Sequence, residues 1–313
     1  MRSKIALIID KLPYIRSLRN QIKEAGFFPA GHFYSPIPSS EDIFRLIPER
    51  ELQQIANYSD FDLKMVQFPD IDVNMNNQFA LLQDFEKFYK DIKFPENKGS
   101  KFRYYYDQEY FCYADAIFLY CFLRHTNPKR IIEVGSGFSS AVILDCFENH
   151  FNRFPEITLI EPNTERLLSI LKTEDKKNIQ ILEEKVQEVN PNIFSTLQTG
   201  DLLFIDSTHV MKFGSDLQFL FFEVLPRLSD GVIVHFHDIF FPFEYPAEWL
   251  KKGIYWNEAY YLRAFLAYNN KWNIYFFNTY VASTFKEFII EKMPLCMKNT
   301  GGSIYIQSCT QFN

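Results

Sequence analysis

Two clusters of carboxylate and imidazole side chains carry most of the chemistry that this sequence could support. Asp206 and His209 stand three residues apart after one short apolar segment, and His237 is followed directly by Asp238 after another. A histidine can accept a proton near neutral pH, and carboxylates can hold a divalent cation. These four residues form the candidate reaction site, while a purely structural role in ordering a strand end or a loop stays open for each histidine.

The two clusters can converge only if the apolar segments before them are neighbouring parallel strands. The carboxyl ends of such strands meet at one edge of the sheet, where open α/β sheets bind their ligands. Successive side chains of a strand alternate between its faces, so His235 and His237 share one face. We expect His237 to face the site and His235 to be a buried, hydrogen-bonded residue of the core.

A glycine-rich turn upstream has the features of a ligand-binding loop. Gly135 and Gly137 allow the backbone to turn sharply and to approach a ligand without a Cβ in the way. The helix predicted after this turn offers unpaired N–H groups and the positive end of its dipole. Glu161 follows the next predicted strand, and an acid there can accept hydrogen bonds from both hydroxyls of a ribose.

The elements that must position these residues alternate from Lys129 onward. Short apolar segments alternating with segments of helical periodicity predict a parallel sheet covered by helices on both faces. Two late strands after the last helix are expected to form an antiparallel pair at one edge. The predicted strands are residues 130–134, 157–160, 179–182, 201–205, 231–236, 272–277 and 303–307, and the predicted helices are residues 139–147, 164–171, 217–228 and 257–267.

The first hundred residues lack this alternation. We predict a mixed, mainly helical N-terminal extension over residues 1–100 and a ligand-binding domain over residues 101–313. The turn-forming segment 95–101, Pro-Glu-Asn-Lys-Gly-Ser-Lys, supplies the boundary. Helical segments are expected from Glu41 onward, over residues 74–94 and around residues 114–122.

Composition excludes several classes of protein. The chain has 313 residues, of which 47% are hydrophobic, and a formal net charge of −6, with no basic stripe that would bind nucleic acid. Five scattered cysteines without a paired spacing indicate a reducing cytoplasm rather than a disulfide framework or a zinc cluster. No segment approaches ~18 uncharged apolar residues, so we expect no membrane span. The apolar run 5–9 is too short for a signal peptide core. A homo-oligomer is compatible with these features.

The glycine turn resembles a known family motif. It reads Glu133-Val134-Gly135-Ser136-Gly137, and Ser140 stands where a dinucleotide-binding fingerprint would need its third glycine. The E-x-G-x-G form resembles motif I of the class I methyltransferases that depend on S-adenosylmethionine (SAM), and the resemblance covers roughly residues 129–307. It implies a Rossmann-like fold with a seven-stranded, mostly parallel sheet and an antiparallel last hairpin. The sequence pattern of the whole chain is similar to that of a bacterial group of these enzymes. This similarity does not indicate a substrate.

The resemblance also implies roles for individual residues. Glu133 would face the methionine end of SAM, and Glu161 would hold the ribose. Asp206 would lie beside the methyl group. The remaining implied cofactor-binding residues are those of the turn and the helix start, Gly135, Ser136, Gly137 and Ser139, together with Val186 and Gln187 near the adenine.

The reaction site resembles that of metal-dependent sugar O-methyltransferases. There an I-D-x-x-H segment supplies a metal ligand and the catalytic base, and a Glu-Asp pair after the fifth strand supplies two further ligands. Carried over, Asp206 and Asp238 would bind Mg²⁺ or another divalent cation, and His209 would be the base. His237 replaces the glutamate of the pair, which would shift the metal preference toward Mn²⁺, Fe²⁺ or Zn²⁺ or remove this ligand.

The function predicted from the sequence is SAM-dependent O-methylation of a small polar or sugar-like acceptor, with Asp206 and His209 as the catalytic pair. Three alternatives stay open. The first is a metal-independent N- or O-methyltransferase that uses His209 alone, and the second is a non-catalytic SAM-binding protein. The third, an NAD-dependent oxidoreductase, is disfavoured by Ser140 and by the late strand pair.

Overall fold

The computed structural model describes residues 28–39, 41, 43 and 68–309. The chain forms two compact units, one made of Met1–Phe61 with Pro246–Tyr255 and the other of Asp62–Tyr245 with Trp256–Asn313. Glu41 and Ile43 are helical, in agreement with a helix from Glu41. The rest of that segment and the apolar run 5–9 lie outside the described residues.

A seven-stranded sheet organises the second unit. Its strands are β1 (Arg130–Val134), β2 (Glu156–Ile160), β3 (Ile179–Leu182), β4 (Leu202–Ile205), β5 (Ile233–His237), β6 (Trp272–Phe277) and β7 (Ser303–Ser308). Their order across the sheet is β3-β2-β1-β4-β5-β7-β6. β1 to β5 are parallel, whereas β7 runs antiparallel to both β5 and β6. This is the strand order of a doubly wound sheet, except that the reversed strand β7 lies between β5 and β6. In such sheets the ligand-binding crevice lies where the strand order reverses, here beyond the ends of β1 and β4. The fold class predicted from the sequence is confirmed.

Helices cover both faces of the sheet, as short crossovers between parallel strands require. The helices of the second unit are α1 (Met75–Tyr89), α2 (Tyr113–Thr126), α3 (Phe138–His150), α4 (Glu165–Ile170), α5 (Asp216–Phe219), α7 (Glu258–Leu266), α8 (Asn278–Thr284) and α9 (Lys286–Lys292), while α6 (Ala247–Lys251) belongs to the first unit. The chain after α5 continues as a π-helical turn, Leu220–Val224, and a 3₁₀ turn, Leu225–Arg227. None of the described helices is long and apolar enough to cross a membrane.

The helix α2 is buried over most of its length. All residues from Ala114 to Leu123 are buried, and the helix packs against α1 and α3. Its buried charge, Asp115, accepts hydrogen bonds from Asn278 Nδ2 at 2.9 Å, Ser303 Oγ at 2.5 Å and the Gly302 N–H at 3.1 Å. These bonds tie α2 to the start of β7 and compensate part of the cost of burying the carboxylate.

The helices α8 and α9 were missed by the sequence prediction. They lie between β6 and β7, where the sequence predicted only a connection to the last strand. The division of the chain at residue 100 stays a prediction. Within the described residues, α1 packs against α2 and β6, so this segment folds together with the sheet.

Candidate active site

The turn after β1 is closed so tightly that only glycine fits at its first position. Gly135 has φ 79°, in the left-handed region, and a Cβ built there would lie 1.7 Å from the Asp206 carbonyl oxygen. The Gly135 N–H donates to the Ile160 carbonyl at 3.0 Å, and the Asp206 N–H donates to the Val134 carbonyl at 2.8 Å. The ends of β1, β2 and β4 therefore meet at this turn.

Glu161 faces the same turn. One carboxylate oxygen accepts a hydrogen bond from the Ser136 N–H at 3.1 Å, and the other accepts one from the Asn163 N–H at 2.7 Å. A carboxylate offers about four acceptor positions, so two remain for a ligand. The sequence placed Glu161 at the second strand end beside the glycine turn, and this is where it lies.

A cleft of about 480 Å³ opens beside the turn. Gly135, Glu161 and Asp206 line it at the strand ends, while Val186 and Gln187 line it at the turn that follows β3. Five of the residues that the sequence assigned to a cofactor thus border one cavity. Its volume lies within the range of small-molecule sites.

Glu133 and its serine partners lie beneath the turn rather than along the cleft. The Glu133 carboxylate is fully buried and accepts hydrogen bonds from Ser139 Oγ at 2.5 Å and Ser140 Oγ at 2.6 Å. Ser140 Oγ also accepts from the Gly137 N–H at 3.1 Å. Burial raises the pKa of Glu133 to about 8, against the opposing effect of the two hydroxyl donors. These bonds shape the turn, and direct contact of Glu133, Gly137 or Ser139 with a cofactor stays a prediction.

Asp206, His209 and Asp238 converge beside the cleft. His209 Nε2 lies 3.3 Å from Asp206 Oδ1 and 3.5 Å from Asp238 Oδ2. One ligand atom from each of the three residues lies within 4.8 Å of the others, which is close enough to share a cation. His209 and Asp238 both have left-handed backbones, with φ 59° and 56°, a strained conformation that is concentrated at functional sites.

The loop that carries His209 is held from two sides. Asp216 at the start of α5 accepts hydrogen bonds from the Thr208 N–H at 2.8 Å and the Thr208 hydroxyl at 2.7 Å. On the other side, His209 Nδ1 lies 2.8 Å from Glu258 Oε2, and the ring packs against Trp256 with centroids 4.2 Å apart. The contact with Glu258 was not predicted, because nothing in the sequence spacing of Glu258 links it to His209.

The charges of this cluster perturb one another. Burial opposes ionisation of His209, yet hydrogen bonding to Asp206 and Glu258 raises its pKa well above the usual value. Burial would raise the pKa of Asp206, but the charges of His237 and His209 lower it to about 2. Burial raises the pKa of Asp238 and of Glu258. The site therefore gathers three carboxylates around one imidazole.

The structure does not place His237 among the converging ligand atoms. Its imidazole is buried, with Nδ1 3.2 Å from Asp238 Oδ1 and Nε2 3.8 Å from Asp115 Oδ2. Ligation of a metal by His237 stays a prediction. His235 is fully buried as expected, but both of its ring nitrogens lack a hydrogen-bond partner among the described residues. Burial lowers the pKa of His235 far below its usual value. The His235 ring stacks on the Phe204 ring, with the two ring centroids 3.9 Å apart.

A doubly wound sheet with a glycine turn, an acid at the next strand tip and a reversed late strand has the architecture of a SAM-dependent methyltransferase. Residues 132–239 match a family model described as a methyltransferase domain. An uncharacterized protein of Archaeoglobus fulgidus is 32% identical over 181 residues, which cover 56% of this chain and 76% of that protein. The chain belongs to the class I SAM-dependent methyltransferases.

Solved structures with similar folds include two O-methyltransferases. The enzyme TomG from Streptomyces achromogenes, in complex with SAM, is 14% identical, with 81% of this chain and 98% of that chain covered and a TM-score of 0.39. An O-methyltransferase from Bacillus cereus, in complex with S-adenosylhomocysteine (SAH), is 12% identical, with 82% and 97% covered and a TM-score of 0.38. These values are too low to transfer a substrate or a site residue.

Proposed function

We propose that this chain transfers the methyl group of SAM to a hydroxyl oxygen of a small polar acceptor, such as a sugar or glycan unit. His209 Nε2 accepts the hydroxyl proton. The observation that carries the proposal is the position of Asp206, which lines the cofactor cleft and lies 3.3 Å from His209 Nε2. The cleft and the proton acceptor are therefore adjacent.

The residues around the cleft fit SAM. Glu161 has two acceptor positions left after its backbone hydrogen bonds, which suits the two ribose hydroxyls. Val186 and Gln187 would line the adenine, and Gly135 would line the chain of the methionine. When bound, SAM supplies the electrophilic methyl group.

The proton of an unactivated alcohol is the main energetic obstacle. A hydroxyl with a pKa near water's ~15.7 and a free histidine near ~6.5 differ by roughly 12 kcal/mol for complete proton transfer, and the raised pKa of His209 narrows this difference. The imidazole must therefore accept the proton while the oxygen forms its bond to the methyl group, and it must be held at the oxygen. Positioning of the ring by Glu258 and the left-handed loop meets this requirement.

A divalent cation fits the two carboxylates beside His209. Asp206 and Asp238 would hold it, and two carboxylates suit Mg²⁺ or Mn²⁺. When bound, such a cation would supply positive charge that lowers the pKa of an acceptor hydroxyl. His209 Nε2 cannot bind a cation and accept a proton at the same time. The proposal assigns Nε2 to the proton.

The test is SAH release from SAM with a panel of methyl glycosides, nucleotide sugars, phenols and amines, each with Mg²⁺, Mn²⁺ or EDTA. We expect turnover with a hydroxyl acceptor and at least a ~100-fold loss in His209→Ala. His125→Ala, which changes a histidine distant from the cluster, is the control. Calorimetry should show that His209→Ala keeps its affinity for SAH and Mn²⁺, whereas Asp238→Asn loses affinity for Mn²⁺.

Each alternative has its own outcome. If only the amines of the panel are methylated, the proposed O-methylation is wrong and the chain is an N-methyltransferase. Full turnover in EDTA would favour the metal-independent enzyme. Loss of Mn²⁺ affinity in His209→Ala would make His209 a ligand and would contradict its role as the base. SAH binding without turnover on any acceptor would favour a non-catalytic SAM-binding protein.

A further inference from the structure

We propose that two copies of this chain associate as a symmetric dimer through the open edge of β3. β3 is the first strand in the order across the sheet, and among the described strands it pairs only with β2. The edge at the other end of the sheet is covered, because α1 packs against β6 and Asn74 Nδ2 donates to the Ile274 carbonyl at 3.2 Å. β3 therefore offers the strand edge to which a second chain can add. The inference is independent of the methyl acceptor and of the proposed base.

The backbone of β3 presents hydrogen-bonding groups toward this edge. The Leu182 carbonyl accepts from the Glu161 N–H at 3.0 Å, so the backbone groups of Leu182 point toward β2. Because successive residues of a strand alternate in direction, the N–H and C=O groups of Ile179 and Ile181 point away from the sheet. An added antiparallel strand would pair with these groups, as at any open strand edge.

The charges on either side of β3 are arranged so that the edge is complementary to itself. Lys176 and Lys177 precede the strand, and Glu183 and Glu184 follow it. If two copies run antiparallel with Gln180 at the twofold axis, each lysine of one copy lies opposite a glutamate of the other. All four charged side chains are exposed, and none forms an ion pair within the part of the chain that the structure describes. Parallel pairing in register would place like charges opposite one another, so charge selects the antiparallel dimer.

An apolar groove lies beside the same edge. Ile179 and Ile181 of β3 and Leu168 of α4 line a groove of about 290 Å³, which Lys176 and Glu183 also border. Leu168 is 49% exposed, an unusual fraction for a leucine on a helix that packs against a sheet. In the proposed dimer, Ile179 lies opposite Ile181 of the partner subunit on both sides of the axis. An apolar centre flanked by opposite charges is the usual anatomy of a protein interface.

The geometry of the dimer leaves both cofactor clefts open. Antiparallel pairing of the two β3 strands joins the two sheets into one, and the carboxyl ends of the strands then point in opposite directions in the two copies. The clefts therefore lie at opposite edges of the joined sheet. One strand edge and one side of a short helix form a small interface, so we expect the dimer to dissociate on dilution and to weaken in high salt.

The first experiment is sedimentation velocity of the full chain, from about 1 to 200 µM, at low salt and in about 0.5 M NaCl. We expect a monomer–dimer equilibrium whose dissociation constant rises severalfold in the higher salt. A chain that is monomeric at every concentration would overturn the proposal.

Charge reversal tests whether β3 is the interface. One variant carries Lys176→Glu with Lys177→Glu, which leaves only acids along the edge, and the other carries Glu183→Lys with Glu184→Lys, which leaves only lysines. We expect each variant alone to be monomeric where the wild type is dimeric, and an equal mixture of the two to recover the dimer. Lys286→Glu on α9 is the control and should dimerise like the wild type. Calorimetry with SAH should give wild-type affinity for both variants, which shows that they are folded.

A disulfide tests the position of the twofold axis. Gln180 is exposed and would lie opposite Gln180 of the partner subunit at a non-hydrogen-bonded position, where Cα atoms are about 4.5 Å apart, within the span of a disulfide. We expect Gln180→Cys to form a covalent dimer under mild oxidation, and the exposed Gln198→Cys and the wild type to form none. Equal cross-linking of the two variants, dimers that persist in both charge variants, or a mixture that stays monomeric would each place any association outside β3 and overturn the proposal.

Discussion

Substitution of Gly135 gives the sharpest prediction, because a steric clash and a conformational penalty both act at this position and can be measured separately. In Gly135→Ala, the new Cβ would start 1.7 Å from the Asp206 carbonyl oxygen, while real Cβ contacts stay beyond about 3.0 Å. The turn and the end of β4 must therefore separate by more than an ångström. The left-handed φ of 79° adds roughly 1–2 kcal/mol for any residue with a Cβ.

Gly200→Ala is the matched control. Gly200 has φ 83°, and a Cβ built there meets no atom within 4 Å, so the substitution imposes only the conformational penalty. We expect Gly200→Ala to lower the free energy of unfolding by about 1 kcal/mol and to leave the affinity for SAH unchanged. Gly135→Ala should cost about 2–4 kcal/mol, since the clash adds an overpacking penalty.

The decisive measurement is calorimetry with SAH, together with urea unfolding of both variants. Displacement of Asp206 widens the turn and moves one wall of the cleft, so we expect SAH affinity to fall at least tenfold in Gly135→Ala. Wild-type affinity in that variant would refute the assignment of this turn to the cofactor. Equal destabilisation of the two variants would show that the clash relaxes without cost.

Three further predictions concern stability and cofactor binding. The pKa of Glu133 is raised to about 8, so the folded state binds a proton that the unfolded chain loses, and this contribution to stability is lost as the pH rises from about 4.5 to about 8. The free energy of unfolding of the wild type, measured in urea, should therefore fall across that pH range relative to that of Glu133→Gln. Parallel pH profiles of the two proteins would contradict this prediction. Arg103→Met removes the partner of two buried aspartates and should cost about 3–5 kcal/mol in urea unfolding, whereas Arg227→Met breaks only an exposed pair and should cost no more than about 1 kcal/mol. Glu161→Ala should lower SAH affinity at least tenfold in calorimetry, unlike Glu165→Ala on the exposed first turn of α4, and equal affinities would remove Glu161 from the ribose site.

Local signals in the sequence predicted the sheet well. The bounds of β1, β3 and β6 agree with the predicted residues 130–134, 179–182 and 272–277, because short strands bounded by turn residues leave an apolar pattern in the sequence. The glycine turn was visible in the sequence, whereas the Asp206 carbonyl oxygen that excludes a Cβ at Gly135 comes from the end of β4.

Contacts over long sequence distance were not predictable. Glu258 reaches His209 across 49 residues, and Asp115 reaches Ser303 across 188. No periodicity encodes such pairs, because they depend on how complete elements pack. His237 shows the same limit: strand alternation gave its face, but not that its imidazole lies between Asp238 and Asp115.

Asp206 closes the glycine turn with its backbone, lines the cleft and faces the imidazole with its carboxylate. The cleft and the neighbouring charged cluster thus share one residue, which would couple binding at one to binding at the other. By thermodynamic reciprocity, an ion that increases the affinity of the cleft for the nucleoside must itself bind more tightly, by the same factor, when the nucleoside is bound. Such mutual dependence between an ion and the nucleoside would need no moving domain.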